Sequence, residues 1–568
     1  MNRFKDRFFV IRNLLNPFYP LYPFSYMQHS YLFIVGGVMS GVGKGTSSAA
    51  LALTLKAKGY KVTMMKIDPY VNIDAGTMNP LEHGEVFVTV DGDETDQDIG
   101  TYERFLDEDI TRLNYMTTGR VYQSVIERER NLEYGGKCVE VVPHVPEEVI
   151  RRIKRAADNA QADFTIIEVG GTVGEYQNIL FLEAGRMMQG ELGRDRVQFV
   201  LVSYLPVPKS IGEMKTKPTQ YAVRTLNSAG IFPNFLVGRS EMNIDQPRKE
   251  KIAQFCAIPW DHIISAPDVK SIYDIPEMFE SQDFANKVLK SFGEKESPKK
   301  PDAWNDFTAR VRGAEKEVRI GVVGKYFSTG DFVLSDVYLS VLEAIKHAGA
   351  QVGVKPVIEW LNSESYEQDA SKLAELDSLS GIIVPGGFGS RGIEGKIAVI
   401  EHARKNNIPY LGICYGMQCA VIEFARNVLG HEDANTTEID KNTSHPVIDF
   451  MAGQDENVAK GKYGGTLRLG SYPCVIAKDT KSFEAYQSST ITERHRHRYE
   501  FNNVYRKELE DAGLVISGTS PDNSLVEMIE HKNHPFFVGV QFHPEFQSRP
   551  LSPHPLFVGL LKAASERS

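Results

Sequence analysis

The sequence predicts an α/β protein with two domains, each built around a mostly parallel sheet. Short apolar strands alternate with helix-compatible segments in two separate series, and each strand runs into a loop rich in glycine or polar residues. This alternation is typical of open sheets with helices on both faces. With 568 residues, the chain is also too long for one hydrophobic core, and such a length favours about two to four domains.

The first series has a P-loop-like order of strand, loop, helix and strand. We predict a strand over Leu32–Val35, a helix over Thr46–Lys58 and a strand over Lys61–Ile67. Two further apolar strands, Phe164–Val169 and Phe199–Tyr204, extend the same sheet. Because folds of this type bind ligands where the strands end, we expect the chemistry of this half at those loops.

The second series begins after a segment of different composition. Ser297–Asp302 and its neighbours are rich in charge and proline and cannot supply a buried face. Strands are then predicted over Val318–Gly324, Gly381–Pro385, Pro409–Ile413 and Phe537–Phe542. We therefore divide the chain into an extension over 1–27, a first domain over 28–290, a linker over 291–316 and a second domain over 317–568.

Composition excludes several classes of protein. The net charge of -10 argues against a general nucleic-acid binder, since phosphate backbones are bound mainly by a surplus of Lys and Arg. The five cysteines are few, odd in number and without a CxxC pair, which argues against a disulfide framework or a zinc site. We expect a cytoplasmic enzyme that does not span a membrane, because no run approaches the ~20 apolar residues that cross a bilayer.

The extension differs from the rest of the chain. It is basic, and its aromatic stretch is broken by Pro17, Pro20 and Pro23. A targeting or membrane-surface segment is one interpretation, but the prolines interrupt the apolar core that a signal peptide needs. We interpret the segment as a disordered extension or as sequence that precedes a true start at Met27.

Cys414 lies in Gly412-Ile413-Cys414-Tyr415-Gly416, between an apolar strand and a helix-like run. This order is that of a nucleophile elbow, in which small neighbours permit a strained turn. The following helix N-terminus favours a thiolate and offers backbone N–H groups to an oxyanion. By itself, the cysteine is more typical of a packed core residue, because free cysteines usually pack as small apolar groups.

Two further motifs favour a catalytic cysteine. The strand before His543-Pro544-Glu545 predicts extended chain, in which a spacing of two residues turns His543 and Glu545 to the same side. A thiol, a histidine base and a carboxylate that orients it form an acyl-transfer triad. The glycine-dense loop Val384–Gly389 offers further amides to an oxyanion. Together these motifs resemble the class I glutamine amidotransferases, which hydrolyse the amide of glutamine through a cysteine thioester.

The glycine-rich loop of the first half, Gly36–Thr46, connects a strand to a helix, as a phosphate-binding loop does. It departs from the strict P-loop pattern at two positions. Val38 stands where the first glycine is expected, and Gly45 follows Lys44 in place of Ser or Thr. The loop alone leaves an ordinary turn and a nucleotide site equally open.

Acidic and basic segments complement that loop. Glu168 ends an apolar strand and Asp91–Asp98 is an acidic run, and carboxylates of this kind hold the Mg²⁺ of nucleotide phosphates. Lys215 and Lys217 lie on one side of a predicted extended stretch that ends at Gln220, which suits a polyphosphate. Taken alone, the acidic run and the lysines are more typical of a solvated surface. A lone Glu168 would more often cap a helix or bind a backbone amide.

As a set, these motifs closely resemble the CTP synthase family, from about residue 31 to 565. The resemblance is carried by Gly36–Gly45, Lys66–Tyr70, His83–Val88, Glu168–Gly174 and Lys215–Gln220. It implies that ATP phosphorylates the 4-oxygen of UTP and that ammonia, channelled from the glutaminase, displaces this phosphate to give CTP. The expected partners are therefore ATP, UTP and L-glutamine.

The resemblance also implies residue roles. Catalysis would rest on Cys414, His543, Glu545 and Lys66, and Mg²⁺ would be bound by Asp98 and Glu168. ATP would be bound by Ser40, Gly41, Val42, Gly43, Lys44, Gly45, Thr46 and Arg239. UTP or CTP would be bound by Ser40, Lys215, Lys217, Gln220, Lys251 and Glu175. Glutamine would be bound by Gly387, Tyr415, Gln418, Glu438 and Arg498.

Regulation and assembly follow from the same resemblance: GTP activation, CTP feedback inhibition, a homotetramer and an ammonia tunnel gated at His83. Two departures bear on this. Gly174-Glu175-Tyr176-Gln177 replaces the usual Gly-Asp-Ile-Glu, and Tyr326–Ser335 is longer than usual where the GTP-responsive lid is expected.

The alternative functions are another amidoligase with a fused glutaminase and an inactive, filament-forming relative. The paired lysines argue against the first, and the presence of the catalytic side chains argues against the second.

Overall fold

The computed structural model describes residues 29–450 and 467–568, apart from 325–327, 330–331 and 334. The predicted extension and half of the residues of the predicted lid over Tyr326–Ser335 lie outside the described residues. None of the helices in the described ranges is long and apolar enough to cross a membrane.

The first half is an α/β unit. In chain order its described strands are β1 (Ser30–Gly37), β2 (Val62–Asp68), β3 (Phe87–Val88), β4 (Glu94–Thr95), β5 (Tyr115–Thr117), β6 (Phe164–Val169), β7 (Val197–Tyr204), β8 (Phe235–Ser240) and β9 (Ile263–Pro267). Its described helices are α1 (Lys44–Ala57), α2 (Pro80–His83), α3 (Gln97–Leu106), α4 (Thr118–Arg130), α5 (Val141–Ala160), α6 (Ile179–Leu192), α7 (Lys217–Ser228), α8 (Gln246–Cys256), α9 (Ile275–Ser281) and α10 (Phe284–Ser291).

Seven of these strands form a parallel sheet in the order β5-β2-β6-β1-β7-β8-β9, and β3 pairs with β4 in a separate hairpin. The central strands β1, β6 and β7 are apolar almost throughout, because helices cover both faces of the sheet. β1, β2 and β6 end beside one another, so that their following loops meet at one edge.

The second half has its own sheet. Its described strands are β10 (Glu317–Gly324), β11 (Ser328–Thr329), β12 (Phe332–Val333), β13 (Lys355–Asn362), β14 (Gly381–Val384), β15 (Tyr410–Ile413), β16 (Asn435–Thr436), β17 (Pro446–Phe450), β18 (Arg468–Ile476), β19 (Thr490–His497), β20 (Tyr499–Phe501), β21 (Leu514–Thr519), β22 (Val526–His531) and β23 (Phe537–Val540). Its described helices, after α11 (Asp302–Gly313), are α12 (Leu339–Val352), α13 (Ser363–Gln368), α14 (Ile393–Lys405), α15 (Tyr415–Asn427), α16 (Lys481–Tyr486), α17 (Arg506–Asp511) and α18 (Pro555–Arg567).

The main sheet of this half has the order β13-β10-β14-β15-β23-β22-β21-β18-β19 among the described strands. It is parallel from β13 to β23 and antiparallel from there to β19. The parallel part brings the ends of β14, β15 and β23 side by side. The loops after these three strands therefore lie together.

The predicted fold class is confirmed, and each predicted strand or helix has an observed counterpart whose ends differ by at most two residues. The segment expected as a linker adds more to the core than its composition predicts. It contains α11, where Trp304 and Phe307 are buried against Phe105 and Tyr273 of the first half. Charged residues occupy the exposed side of this helix, so that composition alone hides its apolar face.

The two halves share a buried interface. Arg494 on β19 has no exposed side-chain surface, and its Nη2 lies 2.9 Å from a carboxylate oxygen of Glu103 and 2.9 Å from one of Asp109. The rings of Phe87 and Phe546 meet edge to face at 5.0 Å between centroids. A buried cation requires partners of opposite charge, which makes this placement of the two halves specific.

Candidate functional site

Cys414 lies at the turn from β15 to α15. Its backbone has φ 50° and ψ -99°, a strained conformation for a residue with a Cβ, and its side chain is almost fully buried. A Cβ on Gly416 would stand 2.1 Å from the carbonyl oxygen of Val384, so this position requires glycine. The geometry is that of the predicted nucleophile elbow.

His543 and Glu545 meet as predicted, although the predicted extended backbone is wrong. Pro544–Gln547 forms a single 3-10 turn that follows β23, and this turn returns the carboxylate to the imidazole. Nδ1 of His543 lies 2.7 Å from Oε1 of Glu545. The ring of Phe546 stacks on the imidazole at 5.0 Å and 12°. Contacts in the plane and on the face of the ring thus fix its orientation.

The electrostatics favour a protonated imidazole. Burial lowers the pKa of His543, but Glu545 and Cys414 more than offset this effect and raise it to about 10. His543 therefore holds its proton at neutral pH beside the sulfur. That proton is the one an amide leaving group needs in order to depart as ammonia.

Two neighbours of the sulfur were missing from the sequence prediction. Nε2 of Gln541 donates to Sγ of Cys414 at 3.6 Å, and the carbonyl oxygen of Arg496 lies 3.9 Å from the same atom. The two-residue spacing between Gln541 and His543 was the available signal, because it places both side chains on one side of the strand end. Arg496 carried no such signal, since only its main chain contacts the sulfur.

The predicted glutamine-binding residues surround the same turn. The Tyr415 hydroxyl donates to the Gly389 carbonyl at 2.9 Å, and the Gly389 amide donates to Glu438 at 2.9 Å. Gln418 donates to the Tyr499 carbonyl at 2.9 Å. Arg498 stands at the junction of β19 and β20, and Gly387 lines the cavity beside Cys414.

That cavity, of about 240 Å³, is shared by the two halves of the protein. Cys414, His543 and Glu545 line one side of it. The first half supplies Gly76, Met78, Pro80, Glu85 and Val86. The sulfur thus faces a space whose far wall belongs to the other domain.

The glycine-rich loop leads into α1, which begins at Lys44. Nζ of Lys44 donates to the Gly171 carbonyl at 2.9 Å, and Thr46 donates to the Gly43 carbonyl at 3.2 Å. Burial lowers the pKa of Lys44. A Cβ on Gly43 would lie 3.6 Å from Nε of Arg239, so this predicted adenine-side arginine is beside the loop.

A buried ammonium, that of Lys66, is surrounded by carboxylates. It donates to Asp98, lies 3.1 Å from Glu168 and 3.8 Å from Asp68. Burial lowers the pKa of Lys66, but Asp98 and Glu168 outweigh it and hold the pKa well above its ordinary value. Both predicted metal ligands, Asp98 and Glu168, thus lie together around the ammonium of Lys66. Their carboxylate oxygens are donors of the kind that a hard divalent cation such as Mg²⁺ prefers.

The departure from the P-loop pattern at Gly45 has a steric cause. A Cβ at this position would stand 2.3 Å from Oδ1 of Asp98. The carboxylate thus occupies the space that a Ser or Thr side chain takes in a strict P-loop. Asp98 and Gly45 are therefore linked, which the sequence did not indicate because 53 positions separate them.

The rest of the acidic run has other partners. Asp93 pairs with Arg120 at 2.7 Å, and Glu94 pairs with Arg496 across the domain interface at 2.9 Å. A further residue, Tyr102, was missed: its hydroxyl donates to Glu168. It lies four residues after Asp98 on α3, and this helical spacing was a usable signal.

Some of the residues predicted to bind UTP or CTP lie near one another on the surface. Lys215 lies 2.6 Å from Glu213, and Arg248, which was not predicted, lies 3.6 Å from the same residue. Lys215 and Lys251 both lower the pKa of Glu213. The predicted extended stretch is wrong from Thr216 onward, because Thr216 already has αR backbone and α7 begins at Lys217. Gln220 donates to Thr216 on this helix at 3.1 Å, and Glu175 accepts from the Thr172 amide at 3.0 Å.

Comparison with known proteins assigns each half of the chain to a known family model. Residues 333–563 match the family model of class-I glutamine amidotransferases, so fold and site define a glutamine amidotransferase fused to a second α/β domain. Residues 30–293 match the model of the CTP synthase N-terminus. A CTP synthase of Herpetosiphon aurantiacus is 47% identical over 94% of this chain and 99% of its own length. This chain therefore belongs to the CTP synthase family.

Other relatives have similar coverage. A CTP synthase of Caldanaerobacter subterraneus is 49% identical over 94% of this chain and 98% of its own length. A solved glutaminase domain of a Trypanosoma brucei CTPS, with bound acivicin, is 40% identical. It covers 44% of this chain and 95% of its own, with a TM-score of 0.41.

We expect Gly45→Ala to slow nucleotide-dependent chemistry, because the added methyl group displaces Asp98 from Lys66. Misplacement by about 1 Å costs ~100-fold in rate, so CTP formation from ammonium chloride should fall by about that factor. Gly190→Ala, on α6 with open space around its Cβ, is the matched control. Equal rates for the Gly45→Ala variant and this control would contradict the steric argument.

Glu545→Gln should move the alkaline limb of glutamine hydrolysis to lower pH. The carboxylate raises the pKa of His543, so its loss lets the imidazole give up its proton earlier as pH rises. We expect kcat/KM for glutamine to fall at least tenfold at mildly alkaline pH. The measurement is the pH profile of glutamine hydrolysis, with Glu375→Gln as a remote control. An unmoved alkaline limb would show that Glu545 does not set this proton.

Proposed function

We propose that this chain makes CTP from UTP, with ATP as the energy source and glutamine as the nitrogen donor, a step of pyrimidine nucleotide biosynthesis. Membership of the CTP synthase family supports the reaction. We assign the synthetase to residues 28–290 and the glutaminase to 317–568, joined by a linker over 291–316. This is a ligase reaction that forms a carbon–nitrogen bond.

The observation that carries the proposal is the cavity shared by the two halves. The reactive sulfur of Cys414 opens into it, and its opposite wall is built from Gly76, Pro80 and Val86 of the synthetase half. Ammonia released at the sulfur would thus enter a space lined by the synthetase half. His83, at the end of α2, lies in the chain between the cavity-lining residues Pro80 and Glu85 and is the proposed gate.

The glutaminase residues have the following proposed roles. The sulfur of Cys414 attacks the side-chain carbonyl of glutamine, and His543 gives its proton to the departing nitrogen. Water then cleaves the thioester and releases glutamate. Gly387, Tyr415, Gln418, Glu438 and Arg498 would hold the polar groups of the substrate.

In the synthetase, phosphoryl transfer from ATP to the 4-oxygen of UTP would create a leaving group that ammonia displaces. Lys44 and the amides of residues 40–46 would hold the ATP phosphates, Lys66 would stabilise the transferred group, and Arg239 would lie at the adenine. Asp98 and Glu168 would hold Mg²⁺, which neutralises phosphate charge when bound.

UTP binding and assembly belong to the same proposal. Lys215, Lys217, Gln220, Lys251, Glu175 and Ser40 would bind UTP, or CTP as a feedback inhibitor. The lysines lie on the surface around α7 and α8, which fits a site completed by another subunit of a homotetramer. We also propose activation by GTP. The five free thiols, all within the described ranges, fit the reducing cytoplasm.

Cys414→Ala should abolish CTP formation from glutamine and leave formation from ammonium chloride within about twofold of the wild type, because only ammonia release needs the thiol. CTP is followed with UTP, ATP and Mg²⁺ present. Cys419→Ala, on α15, which follows the turn at Cys414, should retain both activities. Loss of both routes in a folded Cys414→Ala protein would contradict the division of labour.

For Lys44→Ala, CTP formation from either nitrogen donor should fall by roughly 100-fold or more, because the ammonium is lost from the phosphate site. Lys56→Ala, at the far end of the same helix, is the control and should be near wild type. Basal glutamine hydrolysis by Lys44→Ala reports that the protein is folded. Substantial CTP synthesis by this variant would refute the role of the loop.

A further inference from the structure

A chain of four buried polar side chains crosses the domain interface and ends at the turn that carries Glu545. Tyr273 belongs to the first half, in the 3-10 turn Ile272–Asp274. Glu343 and His347 lie one turn apart on α12, and Ser548 directly follows the turn Pro544–Gln547. All four are at most 3% exposed. We refer to them as the Tyr273–Ser548 chain.

The contacts in this chain are direct. The Tyr273 hydroxyl donates to Glu343 and lies 2.6 Å from Nε2 of His347. Nδ1 of His347 lies 3.1 Å from the Ser548 hydroxyl. Ser548 in turn accepts from the His554 amide at 3.2 Å, and its own amide faces the Glu545 carbonyl at 3.4 Å.

The number of available protons determines which group donates and which accepts in each hydrogen bond of the Tyr273–Ser548 chain. Burial, reinforced by Arg104 and Lys346, holds the pKa of His347 well below its ordinary value, so the ring is neutral and carries one N–H. The Tyr273 hydroxyl donates its only proton to Glu343. Nε2–H of His347 must therefore donate to the Tyr273 oxygen, and Nδ1 must accept from Ser548. Each group then has a partner of the right kind.

Both ends of the Tyr273–Ser548 chain are held by further contacts. The Tyr273 carbonyl accepts from Nε1 of Trp304 at 2.9 Å, and its ring packs against Phe105, Trp304 and Phe307. At the other end, Ser548 closes the turn whose Glu545 must meet His543. Buried polar groups cost free energy unless they are all satisfied, which makes the chain sensitive to the placement of the two halves.

A second contact from the first half reaches the same histidine. Phe87 packs on Phe546, and Phe546 stacks on the His543 imidazole. The imidazole and its carboxylate are thus each supported from the synthetase side. Neither Tyr273 nor Ser548 contributes to the cavity wall beside Cys414, so their effect on the reaction would be indirect.

We propose that Tyr273, His347 and Ser548 are positioning residues for glutamine hydrolysis, through which the docked synthetase half holds Glu545 against His543. This inference rests on the proposed function, since it assumes that Cys414 and His543 hydrolyse glutamine. Its consequence is that the glutaminase reaches full rate only when the two halves are docked as in this structure.

The test uses Tyr273→Phe and Ser548→Ala, which remove one hydroxyl each and keep the packing, and the double variant. We expect kcat for glutamine hydrolysis to fall about five- to tenfold in each single variant, as the loss of one buried hydrogen bond implies. KM for glutamine and CTP formation from ammonium chloride should stay at wild-type values. Because both hydroxyls act in one chain, the double variant should be no slower than the slower single variant.

Tyr366→Phe is the matched control, since it removes a tyrosine–glutamate hydrogen bond in the glutaminase domain outside the Tyr273–Ser548 chain. Unchanged kcat in Tyr273→Phe and Ser548→Ala would overturn the inference, and so would multiplicative losses in the double variant. A parallel loss of ammonia-dependent synthesis would also overturn it, because the role would then be general stability. Failure of the wild type to make CTP from either donor would instead refute the proposed function.

Discussion

The buried guanidinium of Arg494 constrains how the two halves of the protein are placed against each other. It leaves water entirely and is stabilised by Glu103 and Asp109, which belong to the other half of the chain. Without them an uncompensated buried charge would remain, at a cost of about 3–5 kcal/mol. The same strand supplies the wall of the glutaminase site: the Arg494 carbonyl accepts from the His543 amide at 2.7 Å, and the Arg496 carbonyl lies beside the sulfur. Docking and catalytic geometry therefore depend on one strand.

The synthetase site obeys a similar rule of charge compensation. Lys66 is buried among acidic side chains, and it keeps its proton because those side chains surround it. The missing Cβ of Gly45 lets Asp98 approach the start of α1. An ammonium, a carboxylate pair and an open helix N-terminus thus stand close together, as a nucleotide with its metal ion requires.

Much of the fold and of the glutaminase triad was predictable, because the signals are local. Strand and helix periodicity located the elements, and Cys414, His543 and Glu545 each sit at a recognisable strand end. Predictions that assumed regular backbone at special positions were wrong. Glu545 reaches His543 through a 3-10 turn, and Lys217 begins a helix. Propensity does not anticipate such local changes, because tertiary contacts decide them.

The two α/β domains, the elbow at Cys414 and, through resemblance, the family could be read from the amino-acid sequence, since each depends on motifs of residues close together in the chain. Which side chains from distant segments meet became visible only in the folded protein. The pairing of Gly45 with Asp98, the shared cavity at Cys414 and the chain from Tyr273 to Ser548 are of this kind. Sterics and buried charge act through space, and a linear sequence does not display distances between segments.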